Sequence, residues 1–137
     1  MRQTALAAAV VLFFAALGCK KSGAPSSGGA PPPAEELVPR ARETIDLFFR
    51  AATANDCDTL LRIRAKPMSA EDCEHYVHHF NGKGTKLLRI ADARVDGRDP
   101  SVVLVTVKLL FGTTGSNEHQ WVMRVPSKAG ESKVEFE

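Results

Sequence analysis

The spacing of apolar residues changes once along this chain, near Gly82 and Gly84, and that change limits the possible folds most strongly. Before these glycines, apolar residues recur every three or four positions, as on one face of a helix. After them the apolar residues alternate, as they do in strands with one buried face. Helices followed by strands predict an α+β domain, in which N-terminal helices pack on a curved antiparallel sheet of about four strands.

Three helices are predicted before the change. The first carries an apolar stripe that begins at Leu37 and ends at Ala52. The second is short, and Asp56 can cap its N-terminus. The third begins with the capping-box pattern Ser69-x-x-Asp72.

Four strands are predicted after the change, and short turns join them. Their predicted bounds are Leu88–Val95, Ser101–Phe111, Glu118–Val125 and Lys133–Phe136. The second strand has apolar residues on both faces, so we expect it to be central and covered on both sides. Strands that follow one another through short turns predict an antiparallel meander.

Two cysteines fall in the predicted helices. Cys73 shares an apolar face with Tyr76, Val77 and Phe80, and Cys57 lies at the start of the preceding helix. If these two helices form a hairpin, the thiols can meet. We therefore predict a disulfide between Cys57 and Cys73, which the loop-entropy relation values at about 3 kcal/mol.

The first 18 residues have the layout of a cleavable export signal. Arg2 is basic, residues Ala5 to Leu17 are apolar, and a small residue, Gly18, comes next. The apolar run is shorter than the roughly 20 residues that span a bilayer, which argues against an uncleaved anchor. Export places the chain where thiols oxidise, in agreement with the predicted disulfide.

The end of this signal, Ala16-Leu17-Gly18-Cys19, resembles the bacterial lipobox. The resemblance implies that Cys19 is lipidated, that the mature chain begins there, and that the protein is anchored to a membrane. Ala16 and Gly18 also suit an ordinary signal peptidase, which would cut at the same place and leave Cys19 without lipid. Lys20 after the cysteine resembles the sorting pattern for the periplasmic face of an outer membrane, if the cell has two membranes.

Residues 19–35 are predicted to be a tether, because they are mostly glycine, serine and proline and contain nothing to bury. The domain then occupies residues 36–137. All 16 acidic residues of the chain lie after residue 34, whereas three of the 18 basic residues precede it. The domain is therefore close to neutral, which argues against a nucleic-acid partner, since phosphate binding needs a clustered excess of basic residues.

A group of polar residues in the third helix is the first place to look for a metal. Glu71, His75 and His79 are spaced four apart, with His78 beside them. The helical spacing places them opposite the apolar face, where structural metal sites lack the buried second shell that they need. We expect a solvated face that offers at most a weak surface site, and we predict no metal and no cofactor.

The layout as a whole resembles the NTF2-like, cystatin-like superfamily of cone-shaped domains. The resemblance rests on the first helix, TIDLFFRAATAND, and on the strand-turn-strand RIADARVDGRDPSVVLVTVKLLF. It implies that the sheet curls around the helices. The superfamily contains isomerases, dehydratases, binding modules and scaffolds, so the resemblance implies no particular activity.

Three functions are compatible with this sequence. The first is a membrane-anchored, non-catalytic domain that binds a small apolar ligand or another envelope protein, with Trp121 and Met123 as pocket candidates. The second is an isomerase or dehydratase that uses His119 or Asp92 as a general base facing into the cone. The third is a structural or assembly lipoprotein. A filled interior of the cone would favour the scaffold. An open apolar interior would favour ligand binding. An open interior that contains a buried base with a shifted pKa would favour catalysis.

Overall fold

The computed structural model describes residues 32–112, 117–128 and 130–135. Three helices come first: α1 (Ala34–Thr53), α2 (Cys57–Ile63) and α3 (Ala70–Gly82). Four strands follow: β1 (Lys86–Val95), β2 (Val102–Phe111), β3 (Asn117–Lys128) and β4 (Glu131–Ser132). The strands form one antiparallel sheet in the order β1-β2-β3-β4, curled into a half-barrel. The predicted α+β class is confirmed, and the arrangement is consistent with an NTF2-like cone.

The export signal, Cys19 and most of the tether lie outside the described residues, so what was predicted for them stays a prediction. In the part of the chain that the structure describes, no helix is both long and apolar enough to cross a bilayer.

Helix α1 begins directly after Pro33, whose extended backbone serves as the N-cap. Glu35 and Glu36 lie in its first turn, where acidic side chains favour the positive end of the helix dipole. Pro39 therefore lies inside the helix and not before it. Because Pro39 lies beyond the first turn, its missing N–H leaves the Glu35 carbonyl without the usual helical hydrogen bond.

The C-terminal ends of α1 and α3 are joined by one side chain. The amide of Asn81 donates hydrogen bonds to the Ala52 carbonyl at 3.0 Å and to Asn55 Oδ1 at 2.9 Å. Asn55 has a φ of 56°, a left-handed conformation that asparagine adopts more readily than most residues. This link fixes the end of α3 against α1.

The helices cover the inner face of the sheet, and this face is more buried than the outer face. Val103, Val105, Val107 and Leu109 of β2 are buried against the helices, whereas the residues between them are only half-buried. Strand β2 is central, as predicted, but full coverage of both faces was wrong. No helix lies on the outer face among residues 32–112, 117–128 and 130–135, so its side chains are covered mainly by their neighbours in the sheet.

The end of the sheet differs from the predicted one. Strand β3 continues through Pro126 to Lys128, and β4 occupies Glu131–Ser132 instead of residues 133–136. Gly130, with a φ of 82°, allows the chain to reverse in a tight turn. Val134 then forms backbone hydrogen bonds with Ile63 and Ala65, at 2.8 and 2.9 Å, which brings the C-terminal segment to the end of α2. The next residue, Glu135, pairs again with Arg124 of β3.

The hydrophobic core closes within this domain. Phe48, Ile45 and Leu37 of α1 are almost fully buried, and every buried apolar residue of the described chain lies between Leu37 and Val134. Helix α1 is thus the central element, which packs against both remaining helices and the sheet.

Candidate ligand pocket

A pocket of about 520 Å³ lies between helix α3 and the inner faces of β2 and β3. This volume is within the range of small-molecule sites. Six of its described lining residues are aromatic and come from α1, α3, β2 and β3: Phe48, Phe49, Tyr76, Phe80, Phe111 and Trp121. The cone is therefore neither filled nor polar at this position.

Two helices build the inner part of this wall. Phe49 of α1 contacts Phe80 of α3 at a centroid distance of 6.0 Å, and Tyr76 lies 6.1 Å from Phe80. Tyr76 and Phe80 are four residues apart and so share one helix face. Tilted rings at these distances form the favourable aromatic contacts that keep such a surface ordered.

The sheet supplies the outer part of the wall. Trp121 pairs with Val107 in the register of β3 and β2, and Met123 pairs with Val105, so both side chains lie on the inner face. Trp121 packs on Phe111 at 5.6 Å, yet 52% of its surface remains exposed. Both pocket candidates named from the sequence, Trp121 and Met123, line this pocket.

Basic residues surround the entrance to the pocket. Lys66, His79 and Lys83 are exposed residues of its lining, and we call these three the rim. The lining also contains Arg124, which forms 3.1 Å ion pairs with Glu135 and Asp96. The hydrogen bond to Glu135, with that to Asp96, raises the pKa of Arg124 further above its usual value. Glu135, the carboxylate of the described lining, is thus already paired.

Tyr76 brings the one phenol of the chain to the pocket. Burial raises the pKa of its hydroxyl to about 12, and the positive charge of Arg64 offsets part of that rise. The phenol therefore stays protonated and neutral at physiological pH, as suits a wall that contacts apolar groups.

The two candidate bases lie away from this pocket. Asp92 pairs with Thr106 at an irregularity in β1, on the outer face, and its carboxylate lies 3.6 Å from Arg94. A cone-facing Asp92 was therefore wrong, because the register shift after Ile90 turns it outward. His119 is on the inner face, but it is exposed, stacks edge-on against Phe111 at 5.2 Å and is not part of the described lining.

The polar face of α3 is exposed, as predicted, at Glu71, His75 and His79. Within the described ranges, no group of three His, Cys, Asp or Glu side chains is placed to hold a metal ion. His79 differs from its neighbours because it also reaches the pocket. Because His79 directly precedes Phe80, it lies at the boundary between the solvent-exposed face and the apolar face of the helix.

The predicted cysteine pair is found at disulfide distance. Cys57 and Cys73 have Cα atoms 5.9 Å apart, and Cys73 is fully buried. The pair joins the start of α2 to α3, so it fixes the helix that carries Tyr76, His79 and Phe80 into the pocket.

Several pocket residues could not be identified from the sequence. The spacing of Phe48, Phe49, Tyr76 and Phe80 indicates only that they face the interior, and Lys83 follows a helix end as many surface lysines do. Their grouping depends on how α3 is placed against β3, which no local pattern encodes.

The arrangement offers an apolar cavity with an exposed tryptophan and a basic rim. It can surround the apolar body of a small molecule on several sides and leave one end in contact with water. The chain matches no protein-family model, and a search of curated proteins found no match. Its functional interpretation therefore depends on this pocket.

Proposed function

We propose that this protein is an exported, membrane-anchored lipoprotein whose domain binds a small apolar ligand without chemical conversion. The observation that carries the proposal is the aromatic pocket of about 520 Å³ in which Trp121 remains 52% exposed. A scaffold gains nothing from a large exposed aromatic side chain, whereas a binding site needs one. Apolar surface of this kind on a soluble domain commonly marks a site of interaction.

Binding is favoured over catalysis by the positions of the titratable groups. Asp92 lies on the outer face, and His119 is outside the described lining. Glu135 is held by Arg124, and Tyr76 is too weak an acid to exchange a proton near neutral pH. A general base must reach its substrate, and neither base predicted from the sequence, Asp92 or His119, lies in the described lining.

The test of ligand binding uses N-phenyl-1-naphthylamine, a neutral aromatic probe that fluoresces in apolar surroundings. The protein is the mature chain, residues 19–137, with Cys19→Ser to keep it free of lipid. We expect saturable binding of one probe molecule to this chain and a loss of at least tenfold in affinity for Trp121→Ala. Leu88→Ala is the matched control, since Leu88 is 47% exposed in β1 but lies outside the lining. Equal loss in both variants, or no saturable binding, would contradict the proposal.

Membrane anchoring rests on the signal-like residues 1–18 and on Cys19. In a bacterial host, labelled palmitate should enter the wild-type protein, and the protein should sediment with membranes. Cys19→Ala should abolish both the label and the sedimentation. Label at the wild-type level in Cys19→Ala would show that the lipid is elsewhere, and a label-free wild-type protein would show that the ordinary signal peptidase site is the one used.

A further inference from the structure

The charges around the pocket are unevenly distributed, although the domain as a whole is close to neutral. Lys66, His79, Lys83 and Arg124 belong to the described lining, against the single carboxylate of Glu135. Arg124 and Glu135 form an ion pair at 3.1 Å and so compensate each other. The rest of the described lining therefore has basic but no acidic side chains beside its apolar wall.

Lys83 is the clearest of these cations. It caps the C-terminus of α3 through its backbone, is exposed, and lines the pocket. Within residues 32–112, 117–128 and 130–135 its ammonium group forms no ion pair, whereas Lys108 and Lys133 each contact a glutamate. A charge at the edge of an apolar cavity that forms no ion pair in the described part of the chain is available to a ligand.

We infer that the ligand of this pocket is an apolar anion, a hydrocarbon or aromatic molecule with one acidic head group that contacts Lys83 at the rim. This inference rests on the proposed function and names its ligand class. The aromatic wall accommodates the body of such a molecule, since rings offer a large apolar surface. The head group stays at the exposed rim, so it keeps part of its hydration while it gains the attraction of Lys83.

A neutral apolar molecule would gain the contacts with the aromatic wall but not the attraction to the rim. The positive rim also raises the local concentration of anions and so speeds their association. Both effects decrease with ionic strength, because the rim is exposed and salt screens exposed charges over about 10 Å at 0.1 M. Preference for the anion should therefore decrease as salt is added, while binding of the neutral molecule should change little.

The experiment compares two probes that share one aromatic skeleton. 8-Anilino-1-naphthalenesulfonate has a sulfonate, and N-phenyl-1-naphthylamine lacks it. The measured quantity is the Kd of the neutral probe divided by the Kd of the anionic one, for the mature chain with Cys19→Ser. This ratio removes differences in apolar contact, and it isolates what the anionic group contributes.

Lys83→Gln should lower the ratio about two- to fivefold, the usual effect of one exposed charge pair. Lys86→Gln is the matched control, because Lys86 is an exposed lysine of β1 outside the lining, and it should leave the ratio unchanged. Circular dichroism of each variant checks that the exposed substitutions leave the fold intact.

The possible results separate the inference from the function on which it rests. A ratio that decreases in Lys83→Gln but not in Lys86→Gln supports the anionic ligand. Saturable binding of both probes with the same ratio in wild type and Lys83→Gln overturns the anionic ligand and leaves apolar binding standing. Failure of both probes to bind overturns the two proposals together.

Discussion

Cys57 and Cys73 lie with their Cα atoms 5.9 Å apart and connect helix α2 to helix α3 across 16 positions of sequence. This separation is typical of disulfides. The link restricts α3 at its first turns, and Asn81 attaches the far end of the same helix to α1. The helix that provides one wall of the pocket is therefore fixed at both ends.

Loss of this cysteine pair should destabilise the domain. We expect Cys57→Ala with Cys73→Ala to lower the free energy of unfolding by about 2 to 5 kcal/mol, because the unfolded chain regains the entropy that the closed loop removes. Urea unfolding followed by circular dichroism measures this change. Thiol titration of the unfolded, non-reduced Cys19→Ser chain should find no free thiol, and two titratable thiols would contradict the disulfide.

The N-terminal cap of α3 should contribute separately. Ser69 Oγ accepts a hydrogen bond from the Asp72 backbone N–H at 3.0 Å and donates one to the Asp72 carboxylate at 2.7 Å. Ser69→Ala should therefore cost about 1 kcal/mol of unfolding free energy. Ser69→Asn restores a cap acceptor and should recover most of that loss. Equal stability of the alanine and wild-type proteins would mean that solvent replaces the cap without cost.

The single tyrosine allows burial of the pocket wall to be measured directly. In the folded protein Tyr76 should ionise with a midpoint of about 12, whereas in denaturant it should ionise near 10. Below pH 10 both states are protonated and the stability is fully present. Between these midpoints the unfolded state loses its proton first, so the folded state should lose roughly 3 kcal/mol of stability. Tyrosinate absorbance measures the midpoint, and a folded value near 10 would show an exposed hydroxyl.

Much of the fold follows from local patterns in the sequence. The capping box at Ser69, the break at Asn55 and the alternation from Val103 to Leu109 are short-range signals, and each marks an element that the structure contains. The cysteine pair was also predictable, because Cys73 shares a helix face with core residues. Such features are visible in the spacing of residues over short segments of the sequence.

The structure differs from the sequence-based predictions where contacts between residues far apart in the chain determine the conformation. Pro126 looks like a strand end, yet β3 continues past it, because the C-terminal segment pairs again with the strand and with the end of α2. Asp92 turns outward because of a one-residue irregularity that alternation does not reveal. The pocket itself depends on α3 and β3 lining the same cavity, so local patterns do not reveal His79 and Lys83 as pocket residues.

The proposed binding function is tested most directly at Trp121, the only tryptophan of the chain. Its emission reports the pocket alone, and half of its side chain is exposed without ligand. Addition of N-phenyl-1-naphthylamine to the mature Cys19→Ser chain should quench this emission saturably by energy transfer, with an end point at one probe per chain. Emission that is unchanged, or that decreases linearly without an end point, would contradict a ligand site at Trp121.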